Sequence, residues 1–407
     1  MKYFLFFVFC FYLNGCNTNK ENIASSSVEI LHDDILTLDT HIDIPLTYMT
    51  EIDPSGPTDL QVDLPKLQKG NLDSGFWIIY TPQDYLTEKS YLSALEIAET
   101  RNNAIHELTK KHSDYFELAF KADDVSRIVS DGKYAVLIGM ENAFPLGKTL
   151  KDVKLWAERG VRYMGITHFG HNQFGDSSNP SSDRNEMTSR WHGLSPLGKE
   201  LIKALNDAGI MVDVSHASKS TMMQAAELSR VPVIASHSGV KAIRDHPRNL
   251  DDEQLLMLKE TGGVVQVVAY GSYIKGYTNE QKNLETTIAL KFNVNSKDDF
   301  NALDEDAKIS FEQARNELLA MEPRANVSDY VDHIDHVVKI AGIDHVGIAS
   351  DFDGGGGVIG WQDASETQNV TAELIKRGYS ESHITKIWGG NLLRVMRGLS
   401  RLQGSLL

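Results

Sequence analysis

The sequence predicts an α/β chain folded as a closed (β/α)8 TIM barrel, with a helical insertion after its seventh strand. Three observations carry that expectation: eight short, β-branched apolar runs; amphipathic segments between them; and histidines or carboxylates directly after six of the runs. Parallel strands covered on both faces read as near-continuous apolar runs, and each crossover between them needs a helix. Eight such units in one domain favour a closed barrel over an open doubly wound sheet. At 407 residues, 41% hydrophobic and 24% charged, the chain is long enough to bury one large core.

Lys2 and the run YFLFFVFCFYL open the chain. The run has signal-peptide length and is too short to span a bilayer comfortably. It ends in Leu13-Asn14-Gly15-Cys16, which resembles the lipobox of bacterial lipoproteins. The resemblance implies a lipoprotein signal peptide over 1–15, lipidation of Cys16, and export to a bacterial membrane on its periplasmic or surface-facing side. An ordinary signal peptide or an uncleaved anchor is the alternative. Residues 16–30 read as a polar tether and 31–407 as the barrel domain. Cys10 would leave with the signal, so the domain would hold no cysteine, and disulfides and thiolate metal sites are excluded. Without Lys2 the chain has 39 basic and 56 acidic residues, a balance of −17. Such a surface repels nucleic-acid phosphates, so no nucleic-acid partner is expected.

The expected strands are 34–41, 74–80, 134–140, 161–168, 209–215, 231–236, 262–270 and 345–350. Helical patterns fill 91–112, 149–160, 198–209 and 219–229. Residues 272–330 break the repeat: long, charged and helical in period, they read as a lid over the barrel mouth, an outer helical pair, or a solvated decoration. Chemistry in such barrels gathers at the carboxyl ends of the strands. There the sequence puts His41 and Asp43, Glu141, His168, His216, His237, and Asp351 with Asp353. A lone buried histidine is ordinarily just a hydrogen-bonded core residue, but six strand ends of one kind point to a metal site. Residues i and i+2 of a strand share a face, so His41 and Asp43 can reach one ion. Imidazole and carboxylate ligands suit Zn²⁺.

Several longer stretches resemble the membrane dipeptidases, also called renal dipeptidases, a family of two-zinc barrel hydrolases. They are DTHIDIP (39–45), VDLPKLQKG (62–70), RYMGITH (162–168), GLSPLGKELIKALNDAGIMVDVSHAS (193–218), PVIASHSGVKAIRDHPRNL (232–250), DHVGIASDFDG (344–354) and GGNLLRVM (389–396). The resemblance implies a metal-dependent hydrolase barrel with two Zn²⁺ per chain. His41 and Asp43 would bind one ion and His216 and His237 the other, with Glu141 bridging. A carboxylate alone among these residues has two oxygens to share between ions. The resemblance further implies contact of His168 with the scissile carbonyl, a grip of Arg248 and Tyr273 on the substrate carboxylate, and proton transfer through Asp351. The reaction would be hydrolysis of dipeptides by a metal-bridging hydroxide, extending to C-terminal D-residues in many relatives, and a homodimer is a family expectation.

Where many relatives have Glu-Gly-Gly this chain has Glu141-Asn142-Ala143, which alters the pocket wall beside the bridging position. Rival readings are another amidohydrolase-type barrel enzyme (lactonase, phosphotriesterase or deaminase), whose first strand commonly carries His-x-His rather than His-x-Asp, and a non-catalytic binding lipoprotein, which would have lost a ligand. DFDGGGG (351–357) lacks the Gly-Lys-Ser/Thr of a phosphate loop. GGN (389–391) reads as a helix start against the barrel bottom, Asn326 and Asn369 begin glycosylation-like triplets, and Trp77 and Trp388 read as core.

Overall fold

In the computed structural model, which describes residues 28–406 apart from 295–296 and 322–323, the apolar runs pair as parallel strands. These are β1 (Leu38–Ile42), β2 (Ser74–Tyr80), β3 (Phe116–Leu118), β4 (Tyr134–Glu141), β5 (Val161–Gly165), β6 (Met211–Asp213), β7 (Ile234–Ser238), β8 (Val264–Val268) and β9 (Val346–Ala349). The order is β1-β2-β4-β5-β6-β7-β8-β9, with β3 paired only to β4. Closure comes just past the last strand: Ile42 bridges Phe352, the Asp43 N–H donates to the Phe352 carbonyl at 2.9 Å, and the Asp351 N–H donates to the His41 carbonyl at 3.1 Å. The eight expected strands are therefore the barrel, and β3 is an addition. It takes the lower half of the β4 edge, Tyr134 to Val136, while β5 takes the upper half, Ile138 to Met140. Three residues give no periodicity to read, so β3 was not visible in the sequence.

Helix boundaries follow local chemistry. Pro196–Ala208 starts at Ser195, whose side chain accepts from the Gly198 N–H, has Pro196 in its first turn and stops at Gly209 in the left-handed region. The segment expected as one insertion over 272–330 divides. Gly271–Ile274 is a short helix at the mouth; Asn279–Phe292, Lys297–Ala302 and Glu305–Ala320 form the insertion proper. Val327–Ile340 is instead the crossover helix before β9: it buries Val331, Ile334 and Val337, and the Tyr330 hydroxyl donates to the Val267 carbonyl on β8 at 2.9 Å. Asn326 sets that boundary by accepting from the Ser328 and Asp329 N–H groups. Ile288, Phe311 and Leu318 give the insertion a small core of its own, which fits the outer-pair reading.

The barrel bottom is plugged by Asn391–Leu406, whose Leu392, Leu393, Val395, Met396 and Leu399 pack in one cluster with Leu38, Ala135, Met211, Ile234 and Val264 from the strand starts. The GGN segment opens that helix, and the Asn391 side-chain amide donates to the carbonyls of Ile343 and Val346. Trp77 and Trp388 are core residues. The signal peptide over 1–15 and Cys16 lie outside the described residues, as does the tether up to residue 27; residues 28–34 are helical. Among the described residues no helix is long and apolar enough to cross a membrane.

Candidate metal centre

The predicted metal- and substrate-site residues, Asp353 excepted, converge at the upper rim. Asp43, Glu141, His168, His216, His237, Arg248, Tyr273 and Asp351 line one cavity of about 190 Å³, with Tyr80, Phe169, Tyr270 and Gly354. His41 lies at its floor, fully buried. The route by which His41 and Asp43 meet differs from simple strand alternation. β1 ends at Ile42, and its register to β2 shifts between Asp39 and Ile42; Asp43 is aimed by its backbone bond to Phe352 instead.

Glu141 sits between two groups of ligand atoms. Its Oε2 is 3.7 Å from His41 Nε2, which is 3.5 Å from Asp43 Oδ2. Its Oε1 is 2.9 Å from His216 Nε2 and 3.3 Å from His237 Nε2, and those two nitrogens are 2.9 Å apart. One carboxylate thus offers a different oxygen to each side. His41 Nε2 is buried with no hydrogen-bond partner, an arrangement that costs free energy unless something else binds the lone pair. The residues fit a pair of divalent ions: His41, Asp43 and Glu141 could hold one, and Glu141, His216 and His237 the other. Asp351 Oδ1 is also within 3.7 Å of His41 Nε2, and His168 Nε2 within 3.7 Å of Glu141 Oε1, so both lie within reach of the same ligand clusters.

Hydrogen bonds behind the histidines choose their tautomers. Tyr163 Oη donates to the Thr40 carbonyl at 3.0 Å, which leaves its oxygen to accept from His41 Nδ1–H at 2.9 Å. Ser236 Oγ donates to Asp213 Oδ2 and lies 2.9 Å from His237 Nδ1, which can then donate to it. Each arrangement turns a bare Nε2 toward Glu141. Burial presses His216 and His237 well below the ordinary histidine range, helped by Arg248 and His168 beside the first and His41 beside the second; neutral imidazole is the ligating form. Burial also pushes against charge on His41, but the Glu141 and Asp43 carboxylates outweigh it and raise its pKa well above normal, so this end of the pocket favours a positive charge. Burial, with Asp43 and Glu141 alongside, lifts the Asp351 carboxyl well above the usual range.

Tight backbone geometry keeps these groups close. A Cβ on Gly354 would fall 2.2 Å from Asp43 Oδ2 and 2.8 Å from Asp351 Oδ1, and one on Gly139 would fall 2.3 Å from the Tyr163 ring. His216, Asp351 and Asn142 all hold left-handed backbone conformations, with φ of 64°, 60° and 77°, a cost that concentrates at functional sites. Asn tolerates that region better than most residues, and Asn142 secures it by donating to the Thr81 carbonyl and accepting from the Phe144 N–H. Arg248 is buried; its Nη2 donates to the His237 carbonyl at 2.9 Å, its Nε has no partner, and its guanidinium lies 5.5 Å from the Tyr273 ring. Asp353, by contrast, points away: it accepts from the Gln61 N–H at 2.9 Å. Sequence reasoning missed Tyr163, Ser236 and Asp213: they fall inside the family-like stretches 162–168, 232–250 and 193–218, but they sit within or at the ends of strands and the strand pattern does not mark them as partners of the histidines.

Comparison with known proteins agrees with this geometry. The model of the membrane dipeptidase family, peptidase family M19, matches residues 26–405. The dipeptidase tcpJ of Claviceps purpurea is 31% identical over 352 residues, covering 84% of this chain and 70% of that protein. Dipeptidase 3 of Rattus norvegicus is 27% identical over 381 residues, covering 91% of this chain and 66% of that protein. Among solved structures, the probable dipeptidase PvdM from Pseudomonas aeruginosa superposes with a TM-score of 0.85 at 36% identity, over 94% of this chain and 99% of that one. A metallopeptidase from Rhodobacter sphaeroides, liganded with a phosphinate mimic of L-Ala-D-Ala, shares the fold at a TM-score of 0.70 and 22% identity, over 90% of this chain and 99% of that one. This chain belongs to the membrane dipeptidase family of metallopeptidases, barrel enzymes that hydrolyse peptide bonds.

Proposed function

We propose that the protein is a zinc-dependent dipeptidase with two Zn²⁺ per chain, which cleaves free dipeptides, including those with a C-terminal D-residue. The observation that carries this reading is Glu141, whose two oxygens face separate ligand groups, in a small pocket that also holds an arginine. Bound there, the ions would supply Lewis acidity and lower the pKa of a water nucleophile toward neutrality, the hydroxide expected from the sequence.

The remaining work falls to side chains of this chain. Arg248, buried and with an unused Nε–H, is suited to hold the dipeptide's free carboxylate by charge-assisted hydrogen bonds. Tyr273 packs against that guanidinium, its ring 5.5 Å away. His168 faces the pocket with its Nε2 toward Glu141; burial keeps its pKa below the ordinary value, and its ring N–H is the group that would donate to the scissile carbonyl oxygen. Burial and the neighbouring Asp43 and Glu141 carboxylates lift the Asp351 carboxyl above its usual range, which suits it to carry a proton to the leaving amine. Acceptance of a D-residue draws support from the R. sphaeroides metallopeptidase bound to its L-Ala-D-Ala mimic.

The test is release of amino acids from a panel of L,L and L,D dipeptides by metal-loaded and metal-stripped protein. Hydrolysis that depends on metal supports the reading, and faster turnover of lactones or phosphotriesters than of any dipeptide contradicts it. For anchoring, we propose that Cys16 is lipidated and holds the barrel to a bacterial membrane. Full-length protein should partition into detergent and Cys16→Ser should fail to mature; unmodified mature protein free in the medium would refute the anchor. Association as a homodimer is proposed on the same family footing, and a monomer by sedimentation would refute it.

A further inference from the structure

A second cavity, of about 710 Å³, lies where the barrel loops meet the helical insertion, and Tyr270 lines both it and the catalytic pocket. The catalytic pocket, at about 190 Å³, has room for a compact dipeptide and little more. In a chain of net charge −16 the larger cavity runs against the overall balance. Arg244, Lys275, Arg315 and Arg324 line it, against the single carboxylate of Glu285. Lys275 is answered locally, pairing with Asp329 at 2.9 Å, whereas Arg315 has only a loose, solvent-exposed contact with Glu312 at 3.6 Å. Arg244 is held differently. Its Nε and Nη1 donate to the Ser272 and Asp245 carbonyls, each at 3.2 Å, which orients the guanidinium without neutralising it.

The two cavities are separated by a stack of rings. Tyr270 and Tyr273 lie 4.3 Å apart at an interplanar angle of 24°, and Arg248 lies 5.5 Å from the Tyr273 ring. A group entering the larger cavity while the dipeptide carboxylate rests on Arg248 must pass this stack, a reach on the order of 10 Å, or about three extended residues. A plain amino-acid side chain is too short for that, whereas a conjugated one is long enough.

We propose that this cavity binds an anionic extension carried on a side chain of the dipeptide, a carboxylate or comparable oxyanion on the order of 10 Å from the dipeptide's own carboxylate. Arg244 and Arg315 are its recognition residues. The inference rests on the dipeptidase reading of the catalytic pocket and adds a substrate class to it.

The test uses zinc-loaded protein at low salt and two series of probes, alanyl-lysine and lysyl-alanine, each with Nε acetylated (neutral) or succinylated (anionic), with alanyl-alanine as reference. In at least one series kcat/KM for the succinyl probe should exceed that for the acetyl probe by roughly tenfold, and the advantage should shrink as salt rises. Arg244→Gln and Arg315→Gln together should bring the ratio to within about twofold while leaving alanyl-alanine turnover near wild type. Equal rates on both probes in both series, or a preference that survives the double substitution, would overturn the proposal. So would free succinate altering alanyl-alanine turnover while the tethered probes are cut equally, because the cavity would then serve a separate anion. Binding of both probes is measured by calorimetry alongside. Preferential binding without hydrolysis would fault the catalytic reading alone, and hydrolysis without preference would fault the cavity alone.

Discussion

At the lower end of the barrel, Leu38, Met211, Ile234 and Val264 meet Leu392, Leu393 and Met396 in a wholly apolar cluster. A few residues further along the same strands, or just past them, His41, Glu141, His216 and His237 are equally buried, yet they bring charge and unpaired nitrogen with them. The lower end gains roughly 25 cal/mol for each Å² of apolar surface removed from water. The upper end pays desolvation for every carboxylate and imidazole, and recovers it only through what those groups bind. One end therefore supplies stability that the other spends, and substitutions at the two ends should separate activity from folding.

The sharpest break in that comparison comes at Asp351. Asp351→Asn keeps size and hydrogen bonding but removes the transferable proton, so kcat should fall by roughly 10²–10⁴-fold with zinc content and melting temperature little changed. Loss of metal from this variant would make Asp351 a ligand, which its 3.7 Å distance from His41 Nε2 permits. Arg248→Lys should come next. One charge-assisted contact is worth about 1–3 kcal/mol, or roughly 5- to 150-fold in kcat/KM for free dipeptides. The variant should also discriminate less than wild type between free and amidated substrates, whereas equal wild-type rates on the two would remove Arg248 from the site.

Tyr163→Phe tests the layer behind the ligands. It deletes the hydroxyl that accepts from His41 Nδ1–H and should weaken zinc affinity by about 10-fold, toward the low end for outer-shell partners; unchanged affinity in a competition titration would show that the tautomer of His41 is fixed by other means. At the lower end, Leu392→Ala should cost about 2–5 kcal/mol of stability and leave kcat of the folded protein unaltered. A fall in kcat at a temperature where the variant is fully folded would mean that the two ends are coupled.

How much of this was legible in the sequence follows the same division. Periodicity exposes strands long enough to repeat, which is why all eight barrel strands could be read and the three-residue β3 could not. Position after a strand exposes His41, Glu141, His216 and His237, because a polar residue ending an apolar run stands out. Tyr163 did not stand out: an aromatic residue inside a strand looks like core, and its role depends on Gly139 leaving room for its ring. The insertion boundary was misplaced for a related reason, since Val327–Ile340 has the same helical period as its neighbours and only its burial against β8 makes it part of the barrel. Arg248 and Tyr273 were reached by resemblance to the family and not by pattern, and their proximity is a tertiary fact.

The central claim is that Glu141 joins two metal sites, and metal content tests it most directly. Zinc should be measured by mass spectrometry on dialysed protein beginning after residue 16, in wild type and in Glu141→Gln, with circular dichroism to establish folding. The amide keeps one oxygen and replaces the other with a donor that cannot ligate. Wild type should hold about two zinc per chain, and the folded variant should hold fewer than about one, with no measurable dipeptide hydrolysis. A variant that keeps the full complement, or a folded metal-free wild type that still cleaves dipeptides, would contradict the account.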